Sequence, residues 1–157
     1  MKQLDKLQEL LSEIEKHIPN FEVQNSKVSK SSIGWHLDHS LKVVNGILGV
    51  LDENPNPNKK PLKLLGRLFL FFGYIPRGKG TAPKVVRPPE HILLIDIEQQ
   101  LDDAKAKANQ LHQIAESAMF THPYFGSLSK KQSIRFIEVH TKHHLKIIDD
   151  ILNKNPS

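Results

Sequence analysis

Leu4, Leu7, Leu11, Ile14 and Ile18 recur at alternating steps of three and four residues, which places all five on one face of an α-helix. The pattern predicts a first helix over 2–17. Pro19 and Asn20 end it, since proline lacks the donor and the ring clashes with the preceding turn. A polar stretch then leads to Ser29, Ser31 and Ser32, any of which suits a helix N-cap, and a second helix is predicted to about residue 51. Asn54-Pro55-Asn56-Pro57-Asn58 reads as a turn-rich stop.

Residues 61–72 are short and very apolar, with Pro61 at the front. They read as a short helix packed over the rest of the fold. The alternative is an interfacial anchor that sets Lys63 and Arg67 near anionic headgroups. The stretch falls short of the roughly 20 residues a bilayer span needs. An irregular loop over 74–87 follows, and Pro88-Pro89-Glu90 opens a long third main helix predicted to reach about residue 119, with Leu94, Leu101, Ala108, Leu111 and Ala115 inward. The turn His122-Pro123-Tyr124-Phe125-Gly126 precedes a fourth, whose start is marked by Ser129 with Gln132 three residues on, a capping box. No stretch shows the two-residue alternation of a strand. The expected fold is therefore all-α: one domain over 1–157, a four-helix bundle with a short extra helix and a basic loop inserted between the second and third main helices.

Charge sharpens this picture of the insertion. Residues 54–89 contain eight basic side chains (Lys59, Lys60, Lys63, Arg67, Arg77, Lys79, Lys84, Arg87) and no acidic one. Of 22 basic and 17 acidic residues in all, 14 and 17 are left for the remainder, a net of −3. Basicity is thus local, and neither a positioned reading helix nor stacking aromatics accompany it, so sequence-specific nucleic-acid binding is not expected. The chain has no cysteine, which excludes disulfides, thiolate metal sites and a cysteine nucleophile. The N-terminus has no apolar signal core, and the expected location is cytoplasmic.

Candidate chemistry lies in histidine. His140 and His144 are four residues apart on the fourth main helix, hence about 40° apart around its axis and one turn along it. Both fall within the apolar stripe of Ile134, Ile137, Ile148 and Ile151, whereas His143 lies at its margin. On the second helix His36 falls inside the stripe of Ile33, Leu37, Val44 and Ile47, and His39 falls nearer its edge. Metals that favour imidazole usually take a third protein ligand, and His36 is the favoured candidate, with His39 the alternative. Without thiolates the ion would be a divalent transition metal such as zinc, nickel or iron. Glu138, Glu98, His112 and Tyr124 are weaker candidates near the site, and no catalytic residue is assigned.

His36-Leu37, the loop His122-Pro123-Tyr124-Phe125-Gly126 and the run His140-Thr141-Lys142-His143-His144-Leu145 together resemble the DinB-like (DinB/YfiT-like) superfamily of four-helix-bundle metalloenzymes. The likeness covers nearly the whole chain, although each motif is short and the basic insertion departs from a minimal bundle. It implies a metal triad of His36, His140 and His144 and a metal-dependent reaction, thiol transfer or hydrolysis, on a small-molecule substrate. The basic insertion would suit an anionic substrate steered by long-range attraction. The competing class is a non-catalytic helical module that contacts an anionic partner through the same insertion. A homodimer formed through an uncovered face is also open.

Overall fold

The computed structural model describes residues 2–53, 59–78 and 81–154. The Asn54–Asn58 turn and Lys79 lie outside them. Among the described residues the α-helices and strands are, in chain order, α1 (Lys2–His17), α2 (Ile33–Glu53), α3 (Leu64–Phe72), α4 (Leu94–Asn109), β1 (Met119–His122), β2 (Gly126–Ser129) and α5 (Lys130–Asn153), with short 3-10 turns at Ile18–Asn20 and Lys84–Val86. The fold is mostly helical, as the periodicity predicts. Each long helix packs on two neighbours, in the cyclic order α1, α4, α2, α5.

Local chemistry accounts for the ends of these helices. The Ser32 hydroxyl accepts from the Trp35 amide at 3.2 Å and caps α2. Ser129 and Gln132 form the expected reciprocal capping box at the start of α5, satisfying two backbone donors that have no partner inside the helix. The core runs along the shared axis, with Leu7, Leu11, Ile14, Ile33, Leu37, Ile97, Ile137 and Ile148 almost wholly shielded from water.

Two expectations need correction. The third long helix is shorter at both ends than predicted, covering Leu94–Asn109 rather than 88–119. Leu94 and Ala115 are exposed, while Leu101, Ala108 and Leu111 are buried. The chain from 110 onward instead folds through turns into the β1–β2 hairpin, so the absence of strands was a misreading. Four-residue strands are too short to display alternation. The His122–Gly126 turn joins them, with Phe120 opposite Leu128 and His122 opposite Gly126.

The hairpin anchors the front of the inserted segment. The Lys63 amide donates to the Phe125 carbonyl at 2.8 Å, the Ser127 amide to the Lys60 carbonyl at 3.1 Å, and the Lys60 amide to the Ser127 hydroxyl at 2.8 Å. Gly126, at φ 90°, brings its backbone against Pro61, where a Cβ would collide with the Pro61 carbonyl; only glycine combines that angle with that approach. The segment therefore folds back over α2 and α5, and its Lys84–Val86 turn lies on α2. These contacts enclose the cleft described next.

Candidate metal centre

The second and fifth helices bring four imidazoles together. His36 and His39, three apart on α2, meet His140 and His144, four apart on α5, and all four are buried. His39, His140 and His144 each offer a ring nitrogen within 4.8 Å of the other two. The Nε2 atoms of His39 and His140 are 3.2 Å apart, close to the roughly 3.3 Å that two nitrogens would span on a tetrahedral zinc ion at about 2.0–2.1 Å from each.

Second contacts fix the rings. Nδ1 of His39 donates to the Val86 carbonyl at 2.8 Å; because a carbonyl only accepts, the proton sits on Nδ1 and the Nε2 lone pair faces the cluster. The Trp35 ring stacks on His39, centroids 5.0 Å apart and planes at 28°. On the other side, Nδ1 of His144 is 2.9 Å from Nδ1 of His36, and Nε2 of His36 is 3.0 Å from the Ser29 hydroxyl. With His144 Nδ1–H as the donor to His36 Nδ1, the Nε2 lone pair of His144 is left for an ion. Among the described residues Nδ1 of His140 is buried without a hydrogen-bond partner.

Electrostatics keeps these rings neutral. Burial, reinforced by the neighbouring His39, lowers the His36 pKa from 6.5 to about 4. Burial is also the first cause for His140 and His144, both held well below the ordinary value, with the mutual proximity of the rings adding to it. For His39, burial outweighs the opposing pull of the Val86 carbonyl and Asp38. Neutral imidazoles keep the lone pair that a metal needs. The residues present therefore fit a divalent transition metal, with coordination positions left over beyond the three protein nitrogens.

The cluster lies at the wall of a cleft of about 580 Å³, within the usual range for small-molecule sites. His39, His140, His143 and His144 line it, together with Val43, Ile47, Phe69, Ile75, Val85, Val86, Phe120 and Phe136. Among the described residues that line it there is no Asp, Glu, Lys or Arg. His36 does not reach it either.

The third place in the cluster is thus taken by His39, the alternative, while His36, the favoured candidate, stands behind His144 and contacts it through Nδ1. The apolar stripe of α2 marks the arc turned toward the other long helices. The inserted segment covers a further arc of α2, with Val86 directly on His39, and a residue at the margin of a bundle stripe becomes interior. Trp35 and the Val86 carbonyl were not foreseen; the aromatic directly before His36 was the available signal for the first, and a backbone group leaves none.

The weaker candidates separate cleanly. Tyr124 is exposed and lines the cleft, as expected of a mouth residue. His143 is half-buried, lines the cleft and has its ring 5.0 Å from that of His144. Glu98 and His112 are exposed, and His112 turns back to the Asn109 carbonyl at 3.0 Å. Glu138 is buried beside Arg135 and Lys142, both at 2.8 Å. Burial alone would raise its pKa, and the hydrogen bonds from Lys142 and Arg135 hold it below the ordinary carboxylate value instead. Of the basic side chains in the insertion, Arg77 pairs with Asp150 at 2.7 Å and Arg87 donates to the Ala82 carbonyl at 3.0 Å.

No protein-family model, curated protein or solved structure matches this chain.

Proposed function

We propose that this protein is a metal-dependent enzyme of the DinB-like type, in which His39, His140 and His144 hold a divalent transition metal at the wall of an apolar cleft. The observation that carries the reading is the convergence of three buried imidazoles on a cavity of substrate size, whose described lining residues include no Asp, Glu, Lys or Arg. Buried polar rings cost free energy unless their nitrogens are satisfied, and a shared cation satisfies one nitrogen from each. Once bound, the ion would supply Lewis acidity toward a substrate oxygen or sulfur or activate water, the chemistry of thiol transfer or hydrolysis.

The chain's own residues do the rest of the work. Val86 and Trp35 orient His39, and His36 with Ser29 orients His144, the kind of outer contact that fixes ring direction and basicity. Val43, Ile47, Phe69 and Phe136 exclude water and favour an uncharged, largely apolar substrate. The described residues that the insertion presents to the cleft, Ile75, Pro76, Gly78, Thr81, Val85 and Val86 among them, are uncharged, and Arg77 is committed to Asp150. Neutralising Arg77, Lys79, Lys84 and Arg87 is accordingly expected to leave turnover of a neutral substrate unchanged.

The test pairs elemental mass spectrometry of untagged protein with a turnover screen of uncharged apolar electrophiles and esters, with and without a small thiol. Near one zinc, nickel or iron ion per chain, lost together with turnover in His140→Ala and His144→Ala, is the expected result. A native protein that takes up none of these ions would overturn the reading.

A further inference from the structure

The α3 helix is built inside out. Taken at 100° per residue, Leu64, Leu65, Leu68, Phe71 and Phe72 share one arc, and this arc faces water: Phe71 is 80% and Leu64 71% exposed. The opposite side does the packing. Gly66 is the helix's one buried residue, with space for no Cβ against Phe125 and Leu62, and Phe69 rests on Phe125 with ring centroids 5.2 Å apart. A surface helix normally turns its polar residues outward, and contiguous exposed apolar patches mark interaction sites.

Arg67 adjoins one edge of this arc, and further cations precede the helix. Lys59, Lys60, Lys63 and Arg67 are exposed, and no acidic residue occurs anywhere in 54–89. A shallow hollow of about 340 Å³ lies beside Phe71, lined by Arg67, Leu70, Lys131 and Arg135 among others. Arg135 is engaged by Glu138, whereas the side chains of Arg67 and Lys131 make no hydrogen bond or ion pair among the described residues. An exposed apolar row with unpaired cations at its edge is complementary to the surface of an anionic bilayer. A second copy of the chain fits less well, because joining two such faces sets like charges against one another, and one nine-residue helix offers little toward the roughly 800 Å² per partner of a stable interface.

We infer that α3 is a monotopic membrane anchor: it lies in the headgroup region of an anionic phospholipid surface with Leu64, Leu68, Phe71 and Phe72 in the acyl boundary and a lipid phosphate in the Arg67–Lys131 hollow. Among the described residues no helix is long and apolar enough to cross a membrane, so the attachment is to one face. This inference is independent of the metal centre.

Flotation of the full chain with phosphatidylcholine vesicles, with and without phosphatidylglycerol, tests it. Binding is expected to the anionic vesicles and to weaken with salt. Phe71→Ser/Phe72→Ser is expected to weaken partitioning by about tenfold or more, and Arg67→Glu/Lys131→Glu by about fivefold or more per cation. Lys16→Glu/Lys30→Glu, which lowers net charge equally, is expected to change it little. These side chains are exposed, and an unchanged thermal unfolding profile confirms that the variants are folded. No binding to anionic vesicles, an equal loss in the Lys16/Lys30 control, or self-association that the Phe71/Phe72 variant abolishes would each overturn the inference; the last would identify a second copy as the occupant.

Discussion

The histidine cluster and the α3 helix depart from the rule of apolar inside and ionisable outside in opposite directions. Between α2 and α5, four imidazoles are buried; on α3, five large apolar side chains stand in water. Both arrangements cost free energy in the isolated chain, the first through desolvation and the second through forgone burial. Each cost has a chemically distinct remedy: a cation for the imidazole lone pairs, and a lipid surface for the leucines and phenylalanines. They also differ in connection to the fold. The imidazoles are tied to the core and to each other, while the outer face of α3 is exposed, so disturbing the first should affect the whole molecule and disturbing the second should not.

The largest expected contrast is in metal retention. His140→Ala or His144→Ala should lower affinity by about a hundredfold or more, since two protein nitrogens remain where three are needed; isothermal titration with zinc checks this, and Phe71→Ser should bind as the native chain does. Acidification comes next. Unfolded histidines take up protons below about 6.5, whereas folded His36 and His122 do so only near 4, burial being the main cause for both. The folded state therefore binds fewer protons in this window. Its stability is fully present above pH 6.5 and is lost as the pH falls toward 4, on the order of 3 kcal/mol for His36 alone. Chemical denaturation of metal-free protein at pH 7 and pH 4.5 measures it.

His36→Ala sharpens the distinction between a ligand and a residue that orients one. Metal affinity should fall by about 10–100-fold without being abolished, the usual effect of removing an outer contact, and His36→Gln should recover part of it by restoring a hydrogen-bonding side chain. Within α3 itself the two faces should separate. Gly66→Ala places a Cβ 2.8 Å from the Cβ of Phe125 and should cost about 1–3 kcal/mol. Phe71→Ser on the outer face should change unfolding free energy by no more than about 0.5 kcal/mol.

Much of this was legible in the residue pattern, for identifiable reasons. The ends of α1, the Ser129–Gln132 cap and the inward direction of His140 and His144 follow from helical period and local hydrogen bonding, which depend only on nearby residues. What was not legible came from distant contacts. His39 becomes interior because Val86, 47 residues on, covers it, and the β1–β2 hairpin forms where strands of four residues are too short to announce themselves. The long third helix was overextended because residues 110–118 retain apolar spacing through Leu111, Ile114 and Ala118, all buried by turns rather than by a helix. The short apolar segment was read as packing over the fold, which holds for Gly66 and Phe69; its outward arc requires knowing which side faces Phe125.

We hold that His39, rather than His36, completes the proposed metal site. Elemental mass spectrometry of untagged protein after zinc loading and dialysis, comparing His39→Ala with His36→Ala, tests it most directly. The account predicts near-stoichiometric zinc in the native chain, none in His39→Ala and a retained fraction in His36→Ala. Zinc retained in His39→Ala and lost in His36→Ala would contradict it.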